Sequence, residues 1–144
     1  MIHKAFLIAV LLGASALAPV HAADSKPTPS PAGAKVYFIS PANGATVSSP
    51  VVVQFGLKGM GVAPAGVDME GTGHHHVIVD RDAPPLTDYL PVGEDKVLHF
   101  GKGQTEAEIK LPPGQHTLQL VFGDKDHRPH QPPVVSEKIT ITVK

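Results

Sequence analysis

The chain has 144 residues, 12 Lys and Arg against 13 Asp and Glu, nine His and no Cys. That length suits one domain with a single core. The near-neutral charge and 5% aromatic content leave no footprint for nucleic acid, and the missing cysteine excludes disulfides, thiolate metal sites and cysteine nucleophiles.

The first predicted element is a signal peptide over residues 1–22. Met1 to Lys4 is basic, Ala5 to Ala18 is an apolar run too short for an ordinary transmembrane helix, and Val20-His21-Ala22 offers small or apolar residues before a cleavage point. The mature chain is therefore expected in the periplasm or secreted, with no membrane span after cleavage. Residues 23–34 are rich in Pro and Ser, can bury little apolar area, and read as a flexible leader.

From Lys35 onward, short β-branched or aromatic runs alternate with Pro, Gly and Asn punctuation. The predicted strands are Lys35 to Ile39, Val51 to Leu57, His74 to Asp80, Val97 to Phe100, Thr105 to Leu111, His116 to Phe122 and Val134 to Val143. Pro41-Ala42-Asn43-Gly44 forms a turn after the first. Ala107, Ile109 and Leu111 alternate with Glu106, Glu108 and Lys110, and Ile139, Ile141 and Val143 alternate with polar neighbours, so these strands have one buried face. By the same parity His116 begins a core-facing row with Leu118, Leu120 and Phe122, near the rim. No stretch sustains a helical period. The fold expected over residues 35–144 is all-β, an immunoglobulin-like β-sandwich of about seven strands.

The chemistry is concentrated in histidine. Beyond the predicted signal peptide stand His74, His75, His76, His99, His116, His127 and His130, together with Met60 and Met69. Imidazole is the commonest protein ligand for copper, zinc and nickel, and thioether sulfur selects for Cu(I). His74 and His76 project from one face of a strand, and the two-residue spacer between His127 and His130 leaves both rings free to converge. The predicted metal ligands are His74, His75, His76, His116, His127 and His130, with copper the first expectation and zinc the second. A blander reading stands beside this one: His99 and His116 as rings hydrogen-bonded to backbone, and His75 facing the core beside Val77 and Val79 while its two neighbours are solvated.

Other classes fit less well. Gly101-Lys102-Gly103-Gln104-Thr105 lacks the spacing of a phosphate loop and precedes a strand, no nucleophile elbow surrounds any serine, and Asp80, Asp82, Asp88, Asp124 and Asp126 are too scattered for a calcium loop.

The runs Gly73-His74-His75-His76-Val77-Ile78-Val79-Asp80, His99-Phe100-Gly101-Lys102-Gly103-Gln104-Thr105-Glu106, Pro113-Gly114-Gln115-His116-Thr117-Leu118-Gln119-Leu120 and Asp126-His127-Arg128-Pro129-His130 resemble the exported bacterial family of domain of unknown function 4399. The resemblance implies fold and compartment and leaves activity unassigned. The segment from Ser40 to Pro50 is more loosely similar to the opening of CopC-like copper carriers and other periplasmic immunoglobulin-like domains, although the amino-terminal metal-binding His of those carriers has no counterpart here. The sequence thus predicts a periplasmic, non-enzymatic metal-binding protein. The alternative is an interaction or adhesion module whose histidines are structural and whose partner is another envelope protein.

Overall fold

The computed structural model describes residues 26–144. The predicted signal peptide and the first residues of the leader lie outside that range. In chain order the strands are β1 (Lys35–Ser40), β2 (Thr46–Val47), β3 (Val51–Lys58), β4 (Gly61–Val62), β5 (Thr72–Val79), β6 (Val97–Phe100), β7 (Glu106–Ile109), β8 (Gly114–Gly123) and β9 (Ile139–Val143). No described residue is helical, and among them no helix is long and apolar enough to cross a membrane.

All seven predicted strands are present, with some ends moved. Residues 134–138 do not extend β9. Leu120 N donates to Ser136 Oγ at 2.8 Å, and that hydroxyl donates in turn to the Glu137 carbonyl, so a side chain takes a place in the ladder and breaks the regular pairing. The strands β2 and β4 have two residues each. No two-residue element can display a period in sequence.

Two sheets form. One is β1-β3-β7, antiparallel throughout; the other runs β2-β9-β8-β5-β4, with β6 also paired to β5. β4 and β6 share one edge of β5. β4 lies parallel against Thr72 and Gly73, and β6 antiparallel against His75 to Ile78.

The sheets share a core, to which the first gives Val36, Val51, Val53, Phe55 and Ile109 and the second gives Val77, Val79, Leu118, Leu120, Phe122 and Ile141. Each such side chain contributes about 1.5–3 kcal/mol when fully removed from water. Behind the larger sheet a second, smaller cluster forms from Ile78, Leu90, Val97 and Val121, covered in part by Ala83 and Leu86 of the chain between β5 and β6. β5 is consequently buried on both faces, from Gly73 to Val79. A strand in that position ordinarily reads as an unbroken apolar run, and here three of its places are taken by histidine.

The described end of the leader is paired. Ser30 N donates to Gln131 O at 3.0 Å and Gln131 N to Thr28 O at 2.9 Å, which sets residues 28–30 beside the segment carrying His127 and His130.

Candidate metal centre

Alternation along β5 separates the histidine triplet into two environments. His75 faces the shared core, its ring 4.9 Å from that of Phe55 and 5.1 Å from that of Phe122. His74 and His76 face the opposite way, with ring centroids 4.7 Å apart. All three are fully buried. The expectation that the neighbours of an inward His75 would be solvated is corrected by the segments that cover this outer face.

Two more rings reach His74 and His76. His99 sits directly across the β5–β6 ladder from His76 and stacks on it at 5.3 Å, and its ring lies 5.1 Å from that of His74. His127 arrives from the loop after β8, with its ring 5.0 Å from His74 and 4.7 Å from His99. Its Nε2 stands 3.1 Å from Nε2 of His99, so one ring donates a hydrogen bond to the other. One nitrogen from each of His74, His99 and His127 lies within 4.8 Å of the other two, the spacing of groups that could hold one ion.

The loop that delivers His127 is tightly specified. His127 N donates to Asp124 O at 3.0 Å and Asp124 N to Arg128 O at 2.8 Å, closing a turn between the bridged residues Gly123 and Pro129. Asp124 is itself buried: Oδ1 accepts from the backbone N–H groups of Asp126 and Arg128, and Oδ2 accepts from the Thr28 hydroxyl at 2.6 Å. His127 has φ 67°, a left-handed conformation that this kind of turn usually gives to glycine. Space for the other rings comes from glycines. A Cβ on Gly123 would stand 2.9 Å from Cε1 of His76, and one on Gly101 would stand 2.2 Å from Cε1 of His99.

No ring nitrogen of His74 or His76 has a hydrogen-bond partner among the described residues. Burial pushes the His74 imidazole down to about 4, and repulsion from His127 and His99 adds to this against a small opposing pull from Asp124. His76 is pushed down to about 2, by burial first and then by His74, His99 and His127, with a partial offset from the Val121 backbone that falls short of hydrogen-bond geometry. His99 is lowered by burial and by His127. Both buried rings are therefore neutral at neutral pH, the form that ligates.

Of the six predicted ligands, the structure gathers His74, His76 and His127 and places the other three elsewhere. His75 belongs to the core, because a strand cannot turn three successive side chains to one face. His116 stands at the far end of the sheet, seven residues along β8 from Gly123, the partner of His74, or roughly 23 Å. Its Nδ1 donates to Asp80 Oδ2 and its Nε2 to Pro112 O, both at 2.8 Å, and the Asp80 carboxylate raises its pKa. His130 is fully buried between the carbonyls of Phe122 and Thr72, at 3.4 and 3.2 Å, and stacks on the Phe122 ring. Met60 packs against the shared core and Met69 is 61% exposed. His99 joins the cluster although it is not among the six predicted ligands. Only the β5–β6 register, which sets His99 opposite His76 and Val97 opposite Ile78, brings it to the face bearing His74 and His76. A groove of about 520 Å³ lies between β1 and the Pro133 to Ile139 segment, and among the described residues no histidine lines it.

The profile of the family described as Domain of unknown function (DUF4399) matches residues 53–144. The chain belongs to that family. The DUF4399 match begins within β3 and includes β5, β6, β8 and the turn at Asp124, so all four clustered rings fall inside it. No curated protein and no solved structure matches the chain.

Proposed function

We propose that this DUF4399 protein is a periplasmic or secreted transition-metal carrier of immunoglobulin-like architecture, which binds one ion, copper in the first place, through His74, His99 and His127 with His76 packed beside them. The observation that carries this reading is the convergence of one nitrogen each from His74, His99 and His127 within 4.8 Å, where the fully buried His74 ring finds no hydrogen-bond partner among the described residues. A buried polar group left unsatisfied costs about 1–3 kcal/mol, and a buried ring whose nitrogen faces those of two further imidazoles is poorly explained as packing. An ion supplies the missing partner.

The donor set narrows the metal. Neutral nitrogen ligands suit Cu(II), Zn(II) and Ni(II), among which Cu(II) binds most tightly in an unstrained site. The thioethers that would favour Cu(I) are committed elsewhere, Met60 to the core and Met69 to the surface. Calorimetric titration of the purified, untagged protein with Cu(II), Zn(II) and Cu(I) tests the reading. We expect one Cu(II) per chain, a more than tenfold loss of affinity in both His74→Leu and His99→Asn, and no change in His116→Asn. Silence from all three ions at micromolar protein removes the metal reading and leaves the interaction module.

A further inference from the structure

The four rings are not equivalent. His74, His99 and His127 come from β5, from β6 and from the turn after β8, and their nitrogens converge within 4.8 Å. His76 is oriented otherwise: it lies nearly flat on His99, with an interplanar angle of 30°, and its Nδ1–Cε1 edge is turned to Gly123. Burial is graded as well. His74 is fully buried, whereas His99 and His127 are partly exposed, so the solvent side of the trio lies between those two rings. The nearby carboxylate that could close the coordination sphere is already engaged. Both oxygens of Asp124 accept hydrogen bonds, from Asp126 N and Arg128 N on one and from the Thr28 hydroxyl on the other.

Resting on the metal reading above, we propose that an ion held by His74, His99 and His127 keeps one coordination position open towards solvent, and that this position takes a small anionic donor from solution. Three protein ligands with a vacant fourth position distinguish metal sites that act on exogenous ligands from closed structural ones. Imidazole ligates in its neutral form, so three such ligands leave the charge of a divalent ion uncompensated, and a hydroxide, carboxylate or azide is favoured there over a neutral donor.

The test is to titrate azide into the Cu(II)-loaded, untagged protein and record its visible absorption, with the His76→Leu variant in parallel. A saturable azide-to-copper charge-transfer band at one azide per ion is expected, in the variant as in the parent, and copper affinity in His76→Leu should stay within tenfold of the parent. A spectrum that azide leaves unchanged overturns the open position. A loss beyond tenfold in His76→Leu overturns the three-ligand assignment in favour of a four-imidazole site, while the metal reading survives. Failure of the parent protein to take up copper at all removes both.

Discussion

At the scale of single residues, His127 carries the sharpest conflict between backbone and side chain. Its φ of 67° costs an L-residue about 1–2 kcal/mol that glycine would not incur, and the turn holds it there through Asp124 on both sides. Strain of this kind at a partly exposed imidazole, facing three other rings, is expected where the ring itself is needed. His127→Gly should therefore leave the stability of the metal-free protein unchanged or raised, within about 1 kcal/mol after the greater freedom of glycine in the unfolded chain is counted, while copper affinity falls more than tenfold. Urea denaturation and calorimetry on the same variant read the two effects separately. A loss of more than about 2 kcal/mol in stability with binding intact would make the ring a packing element.

At the scale of elements, β5 and β8 approach so closely beside the cluster that no side chain fits between them. A Cβ on Gly73 would stand 2.3 Å from the Gly123 carbonyl oxygen and 2.9 Å from Cε1 of His130, and a backbone atom cannot swing aside as a flexible side chain can. Gly73→Ala is expected to lower stability by about 1–3 kcal/mol and to separate the two strands at the end that bears His74. Thermal melting together with amide exchange at Gly123 and Asp124 checks this, and a melting temperature equal to the parent's would refute the close approach. The elements also mark where the sequence was legible. Alternation exposed the buried rows of β7, β8 and β9 and the rim position of His116, because each of those strands has one wet or half-wet face. In β5 alternation already divides His75 from His74 and His76, but both faces are covered, so polarity does not reveal that the outer pair is buried too; the register with β6 and the turn after β8 that cover this face are not visible in the strand itself. His130 was indistinguishable from His127 in sequence, since what divides them is a left-handed residue in one case and two backbone carbonyls in the other.

At the scale of the whole molecule, the outcome of placing His74, His75 and His76 in a doubly buried strand is a fold whose stability depends steeply on acid. The burial of all three pushes their imidazoles down, His74 and His75 to about 4 and His76 to about 2, with the Gln104 backbone offsetting a little of the shift at His75. In the unfolded chain each of them takes up a proton near pH 6.5. Below that pH the unfolded state therefore binds protons that the folded state refuses, so stability falls as pH falls, by about 1.4 kcal/mol per pH unit for each group until its folded pKa is reached. Three groups acting together lose roughly 4 kcal/mol per unit between about pH 6 and 4, which is comparable within two units to the whole stability of an ordinary domain. His116 works in the opposite sense. Its pKa is raised in the fold by Asp80, so its contribution is present below pH 6.5 and is lost as pH rises through the raised value, but one pair at the rim cannot offset three buried rings. The metal-free protein should accordingly lose stability steeply on going from pH 7 to 5. In His75→Leu, where a core position between Phe55 and Phe122 no longer titrates, the slope should become shallower by about one third, with stability at pH 7 unchanged or higher because an unsatisfied ring has been replaced by an apolar side chain. Urea midpoints at several pH values for parent and variant measure both slopes, and a parent slope below that of a single proton would show that these imidazoles are not buried in the neutral form.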